Sequence, residues 1–170
     1  QLLIGKIYRS PLAHARIKSY DINEASKLKG VHKIISYKDI PGENQIGPVF
    51  HDEIALAVDK VEFIGQAIFL IAAENEIIAE KAAALIKIEY EELTPILSIE
   101  DAIKKGKLLQ TERKIECGNI DEGFSASDHI IESTLIVGGQ EHWYLETHAS
   151  IAVPGEGDEI TVYSSSQNPT

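Results

Sequence analysis

An α+β protein in two pieces is the fold class that this sequence predicts, and three observations predict it. Strand-like runs alternate with helical patterns through residues 4–105, residues 108–127 hold polar turn formers with little periodicity, and residues 130–164 are strand-like again. The composition agrees with packed domains: of 170 residues, 44% are hydrophobic and 25% charged, an ordinary globular mixture. At about 150 residues per domain, this length admits one good-sized domain or two small ones.

Residues 4–8 and 16–21 read as short strands, with Pro11 between them interrupting any continuous ladder. Asn23 is placed to cap a short helix through Leu28, and Gly30 follows as its left-handed terminator. Residues 31–36 return to β composition. Pro41, Gly42, Asn44 and Gly47 mark residues 39–47 as a surface loop. Residues 64–72 are apolar almost throughout, which predicts a strand buried on both faces. Ile78, Ala82 and Leu85 fall at i, i+4 and i+7, the stripe of an amphipathic helix, and the neighbouring alanines raise helix propensity. Residues 87–90 alternate as a half-buried strand. The strand, helix and strand of residues 64–90 therefore predict a right-handed crossover between parallel strands.

Ser98 can cap a helix running to Lys105, with Glu100 and Asp101 in the first turn where negative charge suits the helix dipole, and Gly106 ends it. The boundary between the two pieces falls within residues 108–127. Beyond it, residues 130–137, 149–153 and 160–164 read as strands, the last two joined in a hairpin through Pro154, Gly155, Glu156, Gly157 and Asp158. There is no internal repeat and no low-complexity segment.

Sixteen basic against 27 acidic residues leave a net charge of −11, a field that repels phosphate backbones and anionic lipid. Nucleic acid and membrane are therefore not expected partners. The longest apolar runs fall far short of the roughly 20 residues needed to span a bilayer, and a soluble, cytoplasmic protein is expected. Cys117 stands alone, so the chain is expected to hold neither an internal disulfide nor an iron–sulfur cluster, which takes about four thiolates. The sequence contains no Met and starts inside the apolar run Leu2, Leu3, Ile4; it reads as an excised piece of a longer protein.

Glycines at 155 and 157 sit in the hairpin rather than between a strand and a helix, so no phosphate cradle is indicated. No Ser has the flanking glycines of a nucleophile elbow, and residues 164–166 read as a polar strand end. One constellation is dense: Gly138, Gly139, Gln140, Glu141, His142, Trp143, Tyr144, Leu145, Glu146, Thr147 and His148. Extended, it places Gln140, His142, Tyr144, Glu146 and His148 on one face. Helical, it brings His142 and Glu146 together at i, i+4, a spacing that suits a metal pair or a plain hydrogen bond. A metal site, a polar domain interface and the lining of a buried polar ligand are all open on the residues alone. The paired glycines favour the lining, because backbone without Cβ lets a large group approach closely.

The phrase GGQEHWYLE at residues 138–146, followed by Thr147, His148 and then SSSQNP at 164–169, strongly resembles the molybdenum-binding part of the xanthine dehydrogenase and aldehyde oxidase family. SPLAHARIKSYD (10–21), DIPG (39–42), HDEIALAVDKV (51–61), IGQAIFLIAA (64–73), YEELTPILSIEDAI (90–103) and GFSASDHIIES (123–133) fall in that family's order and spacing. The resemblance covers essentially the whole chain.

It implies an α/β hammerhead domain over residues 1–107 and the truncated N-terminal part of the molybdopterin-binding domain over residues 118–170. It also implies that Gln140 binds the cofactor, its amide hydrogen-bonding an oxygen ligand of the molybdenum without taking a coordination site. Glu141 and His142 are expected to hold the loop, and Glu146 to be an interface carboxylate. Trp143 stands where another aromatic is common. The resemblance assigns no catalytic residue to this chain: the glycine-rich cofactor loop, the substrate and base carboxylates and the purine-orienting arginine lie further along in relatives.

The activity implied is oxidation of hypoxanthine and xanthine to urate with water as the oxygen source, the electrons leaving through iron–sulfur centres and FAD elsewhere in the enzyme. The molybdenum–molybdopterin cofactor belongs to the full enzyme, and the chain alone is expected to be inactive and free of it. Implied partners are the rest of the molybdopterin-binding domain, iron–sulfur and FAD domains or a subunit carrying them, the purine substrate, and a second catalytic unit in a dimer. The alternatives are aldehyde oxidase or another molybdenum hydroxylase, or a non-catalytic hammerhead scaffold.

Overall fold

The computed structural model describes residues 2–47, 50–143 and 145–166. The chain divides into two units, Gln1–Gln110 and Thr111–Thr170. In the first, strands β1 (Ile4–Arg9), β2 (Ala15–Asp21), β3 (Val31–Ile35), β4 (Lys60–Val61), β5 (Ala67–Ala73) and β6 (Lys87–Glu92) accompany helices α1 (Asn23–Ser26), α2 (Glu76–Leu85) and α3 (Ile99–Lys104). They form two sheets of order β1-β5-β3 and β4-β2-β6, antiparallel at every pairing. Mixed helix and strand in segregated antiparallel sheets is an α+β architecture.

The parallel crossover expected over residues 64–90 does not form. β1 and β3 occupy both edges of β5, so the strand after α2 finds no free edge there. It joins the other sheet, antiparallel to β2, with Ile17 opposite Tyr90 and Tyr20 opposite Ile88. The residue expected to cap α1 is also displaced: Ile22 holds the N-cap position, and Asn23 is the first helical residue. Asp21 explains this, because its Oδ1 accepts the Asn23 backbone N–H at 2.8 Å and the Asn23 side-chain amide at 2.8 Å. The helix is four residues long and stops short of Leu28. Gly30 is left-handed as expected, with φ 91°, and a Cβ there would lie 2.6 Å from Ile78 Cδ1. Any other residue type would be strained at this φ and would push the end of the Ile78 side chain aside.

The expected strand at 64–72 begins at Ala67, after a turn in which Gly65 has φ 91°. Phe69 and Ile71 are buried, but Leu70 is 38% exposed, so the strand is covered unequally on its two faces. Asn75 caps α2, its Oδ1 accepting from Ile78 N at 3.0 Å. Ala79 and Ala82 of that helix are fully buried, and their small side chains let the helix lie close upon the core. Phe69 joins the two sheets: Tyr8 of β1 meets its ring at 5.9 Å, and Tyr20 of β2 meets it edge-on at 5.0 Å. α3 is capped as expected, with Ser98 Oγ accepting from Asp101 N at 3.1 Å, and Gly106 follows with φ 60°.

Of the loop expected over 39–47, Asp39 ends a short 3-10 helix, Tyr37–Asp39, and residues 40–47 hold no regular element. Its anchor is Asn44, whose amide donates to Leu56 O at 2.7 Å and accepts from Leu56 N at 2.9 Å, so a side chain imitates a strand partner for buried Leu56.

The second unit contains α4 (Ile120–Ser125), β7 (Ser150–Pro154) and β8 (Ile160–Ser164). β7 and β8 form the expected antiparallel hairpin, closed by Gly155 N donating to Glu159 O at 2.7 Å. α4 lies within the stretch of little periodicity, and Asn119 caps it by accepting from Glu122 N at 3.2 Å. Residues 130–137, expected as a strand, form none. β7 and β8 pair only with each other, and this apolar segment joins neither of their open edges. All described residues of this unit are exposed.

Candidate functional site

Gln140 lies between α4 and β7, where the described residues form neither helix nor strand, and it is exposed. No helix forms among the described residues of 138–148, so His142 and Glu146 are not brought together as a helical pair. Among the described residues, no group of three or more His, Cys, Asp and Glu side chains is placed to hold a metal ion. Tyr144 and the phrase end Gln167, Asn168 and Pro169 lie outside the described residues.

The local geometry comes from short bonds rather than from a sheet. Glu141 Oε1 accepts from His142 N at 3.0 Å, which turns that carboxylate back on its own backbone. Trp143 adopts a left-handed φ of 41°, uncommon for a residue with a Cβ, and its ring is exposed. Added Cβ atoms at Gly138 and Gly139 would meet nothing within 4 Å, so the paired glycines leave open space beside Gln140.

Ser165 holds the far end of the phrase. Its Oγ accepts from Ala149 N at 2.9 Å and donates to Thr147 O at 2.9 Å, while its own N–H donates to Ala149 O at 3.0 Å. Reading residues 164–166 as a polar strand end overlooked this clamp. The signal was present, since the SSSQNP phrase and the GGQEHWYLETH phrase flank the two strands of one hairpin.

These residues suit one part of a molybdopterin site. An exposed neutral amide flanked by bare backbone can donate to an oxygen of a bulky anionic group. The rest of a binding site is lacking here: residues 138–148 contain Glu141 and Glu146 but no Lys or Arg to face a phosphate. What the residues present can offer such a group is therefore a single donor, the Gln140 amide.

A two-sheet antiparallel α+β unit, followed by a unit that carries a polar segment and a single hairpin, is the class of protein defined here. Comparison with known proteins makes this particular. Residues 1–94 match the family model described as "Aldehyde oxidase and xanthine dehydrogenase, a/b hammerhead domain", and residues 102–170 match "Molybdopterin cofactor-binding domain". The chain belongs to the aldehyde oxidase and xanthine dehydrogenase family.

Xanthine dehydrogenase of Dictyostelium discoideum is 49% identical over 158 residues, 93% of this chain and 12% of that protein. Aldehyde oxidase 1 of Oryctolagus cuniculus is 45% identical over 171 residues, 99% of this chain and 12% of that protein. Among solved structures, the aldehyde oxidoreductase of Desulfovibrio gigas superposes with a TM-score of 0.81 at 26% identity, covering 96% of this chain and 20% of that one. The chain spans about one eighth of the length of the curated relatives it matches.

Proposed function

We propose that this chain is the hammerhead domain, residues 1–107, and the N-terminal part of the molybdopterin-binding domain, residues 118–170, of a cytoplasmic molybdenum hydroxylase acting on hypoxanthine and xanthine. The observation that carries the reading is the GGQEHWYLETH phrase, intact inside a segment matching the molybdopterin-binding model, in a chain 42–49% identical to proteins named xanthine dehydrogenase. When bound, the cofactor supplies the oxidative chemistry on an electron-poor carbon, with water as the oxygen source, and passes electrons to iron–sulfur and FAD domains or subunits.

This chain's share in that reaction is positional. Gln140 holds one amide proton toward an oxygen ligand of the metal, and a neutral donor does so without competing for a coordination site. Glu141 accepts the backbone N–H of His142 and so holds the loop that follows Gln140. Ser165 anchors Thr147 and Ala149, and with them the end of the segment that bears Gln140.

Aldehyde oxidation is the second reading, favoured by the 45% identity to an aldehyde oxidase. The test is the full-length protein, assayed with xanthine and with an aromatic aldehyde after its molybdenum has been measured. Urate formation at stoichiometric molybdenum supports the first reading. Turnover of the aldehyde alone supports the second, and neither activity at full metal content rejects both.

A further inference from the structure

Resting on the reading that residues 138–148 form part of a cofactor site, we propose that Ser165 is a positioning residue: its hydroxyl holds the end of that segment in the register that turnover requires. The ladder of β7 and β8 ends at the pairing of Ser150 with Ser164. One residue further on, the Ser165 N–H donates to Ala149 O at 3.0 Å and carries the pairing a step beyond the strands. The side chain then reaches further than the backbone can: Oγ accepts from Ala149 N and donates to Thr147 O, both at 2.9 Å. Ala149 O lies farther from Oγ, at 3.4 Å, so the one hydroxyl proton goes to Thr147. Ser165 thus engages both backbone groups of Ala149 and the carbonyl of Thr147, all of which precede the start of β7.

Elsewhere in the segment, Glu141 Oε1 bonds the N–H of the very next residue, and a Cβ at Gly138 or Gly139 would meet nothing within 4 Å. Ser165 therefore ties the segment to a regular element at the end opposite the paired glycines. A second pair of hydroxyls sits at the same base of the hairpin. Ser150 Oγ and Ser164 Oγ share a hydrogen bond of 2.8 Å, which joins strand to strand rather than strand to segment. The two sites make it possible to separate holding the segment from holding the hairpin.

The test uses the full-length enzyme carrying Ser165→Ala, Ser165→Thr or Ser150→Ala, with molybdenum measured in each. Ser165→Ala should lower kcat about 10- to 100-fold on whichever of xanthine and an aromatic aldehyde the parent enzyme oxidises, with KM within about twofold, since a displacement of about 1 Å costs rate while leaving substrate contacts in place. Ser165→Thr keeps the hydroxyl, and Ser165 is exposed, so the added methyl has room and turnover should return. Ser150→Ala should leave kcat at the parent value. Hydrogen exchange reads the same clamp without turnover: the Ala149 amide should exchange about tenfold faster in Ser165→Ala and at the parent rate in the other two variants. Unchanged kcat at full molybdenum content overturns the proposal, as does an equal loss in Ser150→Ala, a Thr variant no better than the Ala variant, or an Ala149 amide that Ser165→Ala leaves unaffected. Should Ser165→Ala not fold, Ser165→Cys, which nearly keeps the volume and weakens both bonds, carries the same expectations. A parent enzyme that holds molybdenum and oxidises neither substrate rejects the functional reading, and the exchange measurement then decides whether Ser165 holds the segment.

Discussion

Tyr90 is a buried hydroxyl left without a partner: its oxygen is enclosed and makes no hydrogen bond. Ser10 nearby is committed elsewhere, its Oγ donating to Leu12 O at 2.9 Å and accepting from Leu12 N at 3.1 Å. Burial pushes the Tyr90 phenol from 10.0 up to about 12, repulsion from Tyr8 adds to the rise, and the neighbouring Ser10 hydroxyl opposes it. The unfolded chain therefore ionises at this position before the folded one does. The stabilising contribution of Tyr90 is complete below about pH 10 and is lost as pH climbs to about 12. Tyr90→Phe is expected to be at least as stable at pH 7, because an unsatisfied buried hydroxyl costs about 1–3 kcal/mol. It should also lose less stability than the parent chain between those pH values. Urea unfolding followed by far-UV circular dichroism across the alkaline range checks both. For Gln140, the prediction concerns the full-length enzyme: Gln140→Ala should lower turnover by roughly 100- to 1000-fold, the usual effect of removing one preorganised donor, and change substrate affinity little. Steady-state kinetics on variant enzyme of measured molybdenum content test this, and unchanged turnover at full metal content would make Gln140 structural only.

At the level of elements, the caps were the most legible feature. Ser98 and the glycines at 30 and 106 could be read directly, because a cap is a local exchange between one side chain and the next turn. Asn23 misled for the same reason: Asp21, two residues earlier, offers its carboxylate to the Asn23 N–H, and a sequence holding both leaves open which one wins. α2 rests on its cap and its packing together. Asn75→Ala should destabilise the first unit by about 1 kcal/mol, through loss of the bond to Ile78 N; a lower urea midpoint at an unchanged denaturant slope would confirm it. α4 escaped notice because six residues show less than two turns of period. Residues 130–137 have the composition of a strand, yet composition supplies an extended chain and not the neighbour that makes it a strand.

For the molecule as a whole, the division of labour follows the charges and the bonds. The first unit owns the buried core around Phe69, while the second carries the family phrase on exposed backbone. The 170-residue chain by itself should contain no stoichiometric molybdenum and form no urate from xanthine, since one amide with no Lys or Arg across 138–148 cannot retain an anionic cofactor. Elemental analysis and a urate assay on the purified chain check this. The amino-acid order determined the alternation of elements over 4–105, the hairpin and the family phrase, because periodicity, turn chemistry and motif spacing are all written within a few residues. Only the tertiary structure decided that β5 lies between β1 and β3, that β6 turns away to β2, and that Tyr90 keeps an unpartnered hydroxyl. Periodicity records which side chains avoid water, but the choice of strand neighbour depends on which edges the rest of the chain has already occupied.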